Sequence, residues 1–398
     1  MPSHLFRLAL ILGLLSAVGP FAIDMYLPAL PKVASDLGVS ETAAQATLSV
    51  YFLVFGIAQL IYGPMADAIG RRRPMLIGVA IFTAASVAAS FAPDLPTLVF
   101  ARAVQALGAA TLMVVPRAVI RDLSTGPDAA RMMAAIMIVI SVSPMLAPLA
   151  GSAVMAVADW RWIFGVLALA SLISLALITF ALPETLRPEN RRPVRVAEMR
   201  AGAVRLLTDR RFMGLTFIGG FAMSSFFVFL AMATFVYTKT FGLGPTGFSL
   251  AFAVNAIGFF TASQFAGPLA ARLGMERAIA IAITGFAGSM LLLLAVVAAG
   301  FGSLPIIIAG LFIANAFLGL VMPTTMVMAL DPHPDIAGLA SSLGGTLQML
   351  TGAGMITLIG AVLDSTPLSM IAGIAFCGAL AWLVAAATLP RLRLGLSF

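Results

Sequence analysis

Gly63-Pro64-Met65-Ala66-Asp67-Ala68-Ile69-Gly70-Arg71-Arg72-Arg73 returns 204 residues later in weakened form as Gly267-Pro268-Leu269-Ala270-Ala271-Arg272-Leu273-Gly274-Met275-Glu276-Arg277. Gly, Pro, Ala, Gly and Arg recur at equal offsets, and the offset is about half of the 398-residue chain. The sequence therefore reads as a duplication, each copy following the second helix of a six-helix half, as a parallel repeat requires.

The flanking segments are apolar runs long enough to span a bilayer, which takes about 20 residues. They lie at 5–27, 42–66, 74–93, 95–119, 132–157, 162–182, 212–236, 247–268, 278–299, 304–329, 337–362 and 368–389. Turn chemistry such as Pro93-Asp94-Leu95-Pro96 and Asp331-Pro332-His333-Pro334 separates them. Hydrophobic residues make up 61% and charged residues 10%, against about 45–50% and about 25% in soluble domains. The runs do not alternate as barrel strands do. The expected fold is an all-α membrane protein of twelve transmembrane helices in two pseudo-symmetric halves, 1–182 and 212–398, joined by an Arg- and Pro-rich linker at 183–211.

The net charge of +7 would suggest nucleic acid in a soluble protein. Here the basic residues sort by loop instead. Of 23 Lys and Arg, only Lys32, Arg161 and Lys239 fall in one set of alternating loops and Arg102 within a span; the other nineteen lie on the opposite side, eight of them from Arg187 to Arg211. The positive-inside rule makes that side cytoplasmic, with both termini there; the expected location is a bacterial inner membrane. No nucleic-acid partner is expected, and a monomer is. Arg7, the apolar run after it and Ala17-Val18-Gly19 mimic a signal peptide, but the run continues to Leu30, as an uncleaved first helix would. The single Cys, Cys377, leaves no disulfide within the chain.

Asp24 and Arg102 stand apart because they fall well inside apolar spans. A charge at bilayer centre costs about 2.5–3.5 kcal/mol on insertion scales, so function is the default reading. With exits near Pro28 and Pro96, both would lie about 6–9 Å from the outer face at 1.5 Å per residue. Burial favours a protonated carboxyl and a nearby guanidinium favours an ionised one, so such an acid is tunable. The other reading is a static ion pair that fixes helix packing. The repeat offset maps Asp24 to Val228 and Arg102 to Ile306, so proton coupling is expected in the first half alone. Neither His4 nor His333 falls in a span.

The Gly63–Arg73 loop resembles the signature motif of the major facilitator superfamily. Asp24-Met25-Tyr26-Leu27-Pro28-Ala29-Leu30-Pro31 resembles the first-helix motif of its bicyclomycin and chloramphenicol resistance branch. Arg102-Ala103-Val104-Gln105 with Gly108 is similar to the fourth-helix motif. Trp160-Arg161-Trp162-Ile163-Phe164, Pro183-Glu184-Thr185 and Ala337-Gly338-Leu339-Ala340-Ser341-Ser342 also resemble that branch. Pro144 followed by Ala147-Pro148-Leu149-Ala150-Gly151 is similar to an antiporter motif, with Ala147 and Ala150 where glycines are usual. The resemblance implies a cavity open alternately to each side and export of small drugs against proton entry. It also implies that Gly63, Asp67, Gly70, Arg71 and Arg72 latch one conformation; read alone, the same charges are a topology signal.

Substrate contacts are expected from Tyr26, from Tyr51, Phe55 and Gln59 on one face of the second helix, and from Gln105 beside Arg102. In the second half Met223, Phe226, Phe227, Asn255, Asn315 and Gln348 are candidates. Apolar, aromatic and Met surfaces with few polar groups suit neutral or amphipathic drugs, although each such residue also serves packing.

Embedded reactive pairs that an intramembrane enzyme would need are missing. No Gly-Lys-Ser/Thr phosphate loop points to ATP, and no ring of charges points to a channel. No metal or cofactor is expected, and the proton gradient would supply the energy. The serious rival is a proton-driven importer or exporter of a small metabolite on the same fold.

Overall fold

In the computed structural model the described residues are 3–124, 126–191, 193 and 195–389. The side chain of His4, all of Arg192 and the C-terminal residues from Pro390 onward lie outside them. Among the described residues twelve helices are long and apolar enough to cross a membrane, and none of the secondary structure is strand. The expected all-α, twelve-span fold is the one observed.

The first half contains α1 (Ser3–Asp24), α2 (Leu30–Asp36), α3 (Glu41–Ile69), α4 (Arg72–Ser90), α5 (Leu95–Leu123), α6 (Gly126–Val157) and α7 (Arg161–Phe180). After α8 (Val196–Thr208) come α9 (Arg210–Lys239), α10 (Pro245–Ser263), α11 (Ala266–Leu273), α12 (Met275–Val296), α13 (Leu304–Leu330), α14 (Ala337–Val362) and α15 (Pro367–Thr388). Local chemistry sets the starts. Ser40 accepts from the Ala43 N–H, Asp94 from Thr97 and Asp209 from Arg211 and Phe212, each occupying donors that a helix start leaves orphaned. Proline in the first turn of α5, α10, α13 and α15 loses nothing, because its missing N–H would have no partner there.

The chain divides into two compact units, Met1–Val196 and Ala197–Phe398. In the first, α1 packs on α5 and α6, α3 on α5, and α4 on α5 and α7. In the second, α9 packs on α13 and α14, α10 on α13, and α12 on α13 and α15, which is the same scheme one repeat later. The halves differ at one pair. α9 packs along α15, whereas the matching α1 and α7 meet only briefly.

Two boundaries differ from the sequence reading. The first span does not leave at Pro28. Pro28 and Pro31 lack the N–H groups that would bond the carbonyls of Asp24 and Leu27. The backbone therefore tightens: Tyr26 N–H donates to Ile23 O at 3.3 Å and Ala29 N–H to Tyr26 O at 3.0 Å. A 3-10 turn at Leu27–Ala29 follows, and helix resumes as α2. Leu27, Leu30, Val33 and Ala34 are buried, so the candidate span continues past the prolines to Asp36. Likewise Gly63 and Pro64 belong to the last turns of α3 rather than to a turn; the chain reverses at Gly70 alone. Gly70 has φ 97° and its repeat partner Gly274 has φ 80°, a region open to glycine and strained for other residues.

The 183–211 segment contains a 3-10 turn at Pro188–Asn190 and α8. α8 lies on the second unit, where Arg205 pairs with Asp335 at 2.6 Å and Gly202 packs against Leu339.

Candidate functional site

The break after α1 builds the centre of the first unit. Because Tyr26 N–H turns to Ile23, the Ala22 carbonyl loses its usual helical donor. Arg102 of α5 supplies one, donating from Nη1 to Ala22 O at 2.9 Å and to Gln105 Oε1 at 2.5 Å. Gln105 Nε2 donates to Ser86 Oγ at 2.7 Å, and Ser86 to the Phe82 carbonyl on α4. Arg102 and Gln105 are fully buried. The guanidinium carbon lies 4.3 Å from the Tyr51 ring centre, 5.0 Å from Tyr26 and 5.8 Å from Phe164. A desolvated cation–π contact is worth about 2 kcal/mol, so these faces replace part of the lost hydration. Nε and Nη2 of Arg102 and the Tyr51 hydroxyl remain buried without partners. Orphaned polar atoms of this kind are rare in native proteins and mark places where a ligand, water or proton is expected.

Asp24 is only 5% exposed. Among the described residues no hydrogen bond or ion pair reaches its carboxyl, and none joins it to Arg102. The two groups are linked through the backbone, with Arg102 held two residues before Asp24 and the Tyr51 ring lying over the guanidinium. Tyr51 stacks on Phe55 at 6.0 Å, and the Tyr26 and Thr47 hydroxyls lie 3.3 Å apart. Gln59, one turn beyond Phe55, is half-buried.

α6 reaches this centre through glycine. A Cβ on Gly151 would overlap the Met25 carbonyl, so only glycine lets α6 lie against the break beside Asp24. Pro144 and Pro148 lie on the approach, inside a helix that continues through them.

The Gly63–Arg73 motif forms a second cluster at the α3–α4 turn. Arg71 pairs with Asp67 at 2.5 Å and with Asp122 at the end of α5 at 2.7 Å. Glu184 accepts from the backbone N–H groups of Arg71 at 2.8 Å, Arg72 at 3.2 Å and Leu186 at 3.0 Å. A Cβ on Gly70 would lie 2.5 Å from the Glu184 carboxylate. Arg72 donates to the carbonyls of Ile178 and Thr179, and Thr185 to Asp122. Gly63 has open space around it. Burial opposes ionisation of Glu184, but the three N–H donors and Arg191 outweigh it and hold the carboxyl below its ordinary range. Its contribution to stability is therefore complete above the usual Glu range and fades as pH falls through the lowered value. Glu184→Gln should lower stability at neutral pH by about 1 kcal/mol, because one acceptor becomes an amide NH2. Thermal melts should also lose part of their dependence below about pH 4, the ordinary Glu range.

In the second unit Phe226 is half-buried amid the rings of Phe227, Phe229, Phe252 and Phe259, with centres 6.2–6.5 Å away. Asn255 donates to the Ala251 carbonyl of its own helix and keeps a buried, unpartnered Oδ1. Asn315 is 6% exposed, Met223 is half-buried, and Gln348 packs against Gly219. No hydrogen bond among the described residues joins Asn255, Asn315 and Gln348, so this half presents separate polar points in an aromatic wall.

Asp122, Glu184, Ser86 and Thr47 were not singled out from sequence as site residues. Asp122 and Glu184 lie beside helix ends where an acid facing the Arg71–Arg73 run could have been sought. Ser86 and Thr47 are ordinary helix residues with no sequence signal.

The Major Facilitator Superfamily model matches residues 12–355. A bicyclomycin resistance protein homolog of Haemophilus influenzae is 29% identical over 94% of this chain and 93% of its own length. Multidrug resistance protein D of Escherichia coli is 32% identical over 90% of each. Among solved structures, a D-xylose-proton symporter superposes with a TM-score of 0.74 over 98% of both chains at 19% identity, a likeness of fold.

Proposed function

Because the chain belongs to the Major Facilitator Superfamily, in the branch of bicyclomycin and chloramphenicol resistance proteins, and is a multi-pass membrane transporter rather than an enzyme, we propose that it exports small neutral or amphipathic drugs from the cytoplasm in exchange for protons. The observation that carries this reading is the buried Asp24 carboxyl without a hydrogen-bond donor, two residues along the chain from the Ala22 carbonyl that holds a guanidinium with two unpartnered nitrogens. A carboxyl so placed is neutral when nothing polar faces it and ionises when a donor or cation is brought to it. Arg102 is held by Ala22 and Gln105, a turn of the α1 break away from supplying that cation.

In this cycle Asp24 takes a proton from the outer side, and substrate arrival or a shift of Arg102 drives the proton off toward the cytoplasm. Inward movement of one charge yields about 2.3 kcal/mol per 100 mV, to which the pH gradient adds. The Arg71–Asp67–Asp122–Glu184 cluster latches one state of the alternating-access cycle. Neutral recognition falls to Phe226, Phe227, Met223, Asn255, Asn315 and Gln348 in the second half and Tyr26, Tyr51, Phe55, Gln59 and Gln105 in the first. The protein works as a monomer without metal or organic cofactor, with both termini cytoplasmic. Expression in a drug-sensitive, efflux-deficient bacterium tests this reading: chloramphenicol should accumulate less, and an uncoupler should abolish the difference. Accumulation that rises on expression would support proton-driven import instead.

A further inference from the structure

The two halves differ where their first and sixth helices meet. In the second half the α9–α15 seam is closed, with α9 so near the end of α15 that a Cβ on Gly214 would overlap Thr388; one turn away Arg211 pairs with Glu276 of α12 at 3.3 Å. In the first half the matching helices part, leaving a cavity of about 320 Å³ lined by Arg7, Leu8, Ile11, Phe180, Ala181 and Pro183. The repeat offset maps Arg211 onto Arg7 and Glu276 onto Arg72, so the acid that answers the arginine in one half is a second cation in the other. Arg72 is engaged with the Ile178 and Thr179 carbonyls of α7, and Glu184 with three backbone N–H groups. Arg7 is exposed and has no carboxylate partner among the described residues.

Both helices also carry exposed apolar side chains beside the cleft. Phe6, Leu10 and Leu14 on α1 and Leu169, Leu172, Ile173 and Phe180 on α7 are all exposed. A cleft of this size reaches the lower end of ligand-pocket volumes, and it joins a cation near the helix end to the apolar side chains of Leu8, Ile11 and Phe180. We propose that this cleft binds an anionic phospholipid, with Arg7 holding the phosphate and the α1–α7 groove holding the upper part of a chain. The proposal rests on membrane placement alone and is independent of the direction or coupling of transport.

The test is titration of the purified full chain in detergent with dioleoyl phosphatidylglycerol and, separately, dioleoyl phosphatidylcholine, read by native mass spectrometry. Arg7→Gln should weaken phosphatidylglycerol binding about fivefold, the equivalent of about 1 kcal/mol per basic residue at a membrane surface. It should weaken phosphatidylcholine binding less, because choline already neutralises that phosphate, and Arg7→Lys should restore most of the loss. Arg211→Gln, the repeat-related change, should alter neither. Thermal melts of each variant confirm folding, which an exposed helix position permits. An unchanged Arg7→Gln affinity, an equal loss in Arg211→Gln or an equal loss for both lipids would overturn the proposal. So would full competition by glycerol 3-phosphate, since that would mark a site for a free anion.

Discussion

Asp24→Asn is expected to abolish gradient-driven accumulation while leaving downhill exchange. In vesicles with an imposed pH difference of one unit, each proton exchanged supports up to about tenfold substrate accumulation, since one unit is worth about 1.36 kcal/mol. The amide keeps the shape of the site at Asp24, which is 5% exposed and makes no hydrogen bond among the described residues. It cannot carry a proton through the cycle. The accumulation ratio should therefore fall to about one, the equilibrium value with no coupled proton, with exchange of labelled for unlabelled chloramphenicol retained. A variant that concentrates substrate normally would move proton coupling elsewhere.

Gly151→Val is expected to cost nearly as much by a different route. The added Cβ overlaps the Met25 carbonyl, which is backbone and cannot rotate away, so α6 must lift from the α1 break. Overpacking of this kind costs about 1–3 kcal/mol of stability. Transport should fall at least tenfold while the protein still inserts and purifies, because the change displaces the segment carrying Asp24 rather than the spans as a whole. Gly151→Ala should show a smaller loss of the same kind. Gly288→Val on α12, where space is open, should melt and transport like the parent and serves as the control.

Much of this was legible in the residues. Hydrophobic run length located every span, because in a bilayer the backbone must bond within each helix and leaves few alternatives. The repeat at 204 residues announced the two halves, and Gly70 and Gly274 adopt the same positive-φ turn in each. Arg102 and Gln105 do share a face and bond to each other. The course of the chain after Asp24 was not legible. Pro28 and Pro31 signal that a helix stops, but whether the chain leaves the membrane there depends on whether Leu30 and Val33 find cover, and they do. The partner of Arg102 was equally hidden. A guanidinium inside a span invites pairing with the one nearby acid, yet the break in α1 exposes a backbone carbonyl that takes it instead. The role of Glu184 depends on a contact across more than a hundred residues, which no local pattern records.

Substrate and proton are expected to exclude each other at Asp24. Substrate-induced proton release from the purified protein in weakly buffered detergent solution measures this directly. Saturating chloramphenicol should release protons, approaching one per molecule at a pH where Asp24 is protonated, and Asp24→Asn should bind the drug and release none. Equal proton release from the parent and from Asp24→Asn, or binding to the parent with no release across the pH range, would contradict it.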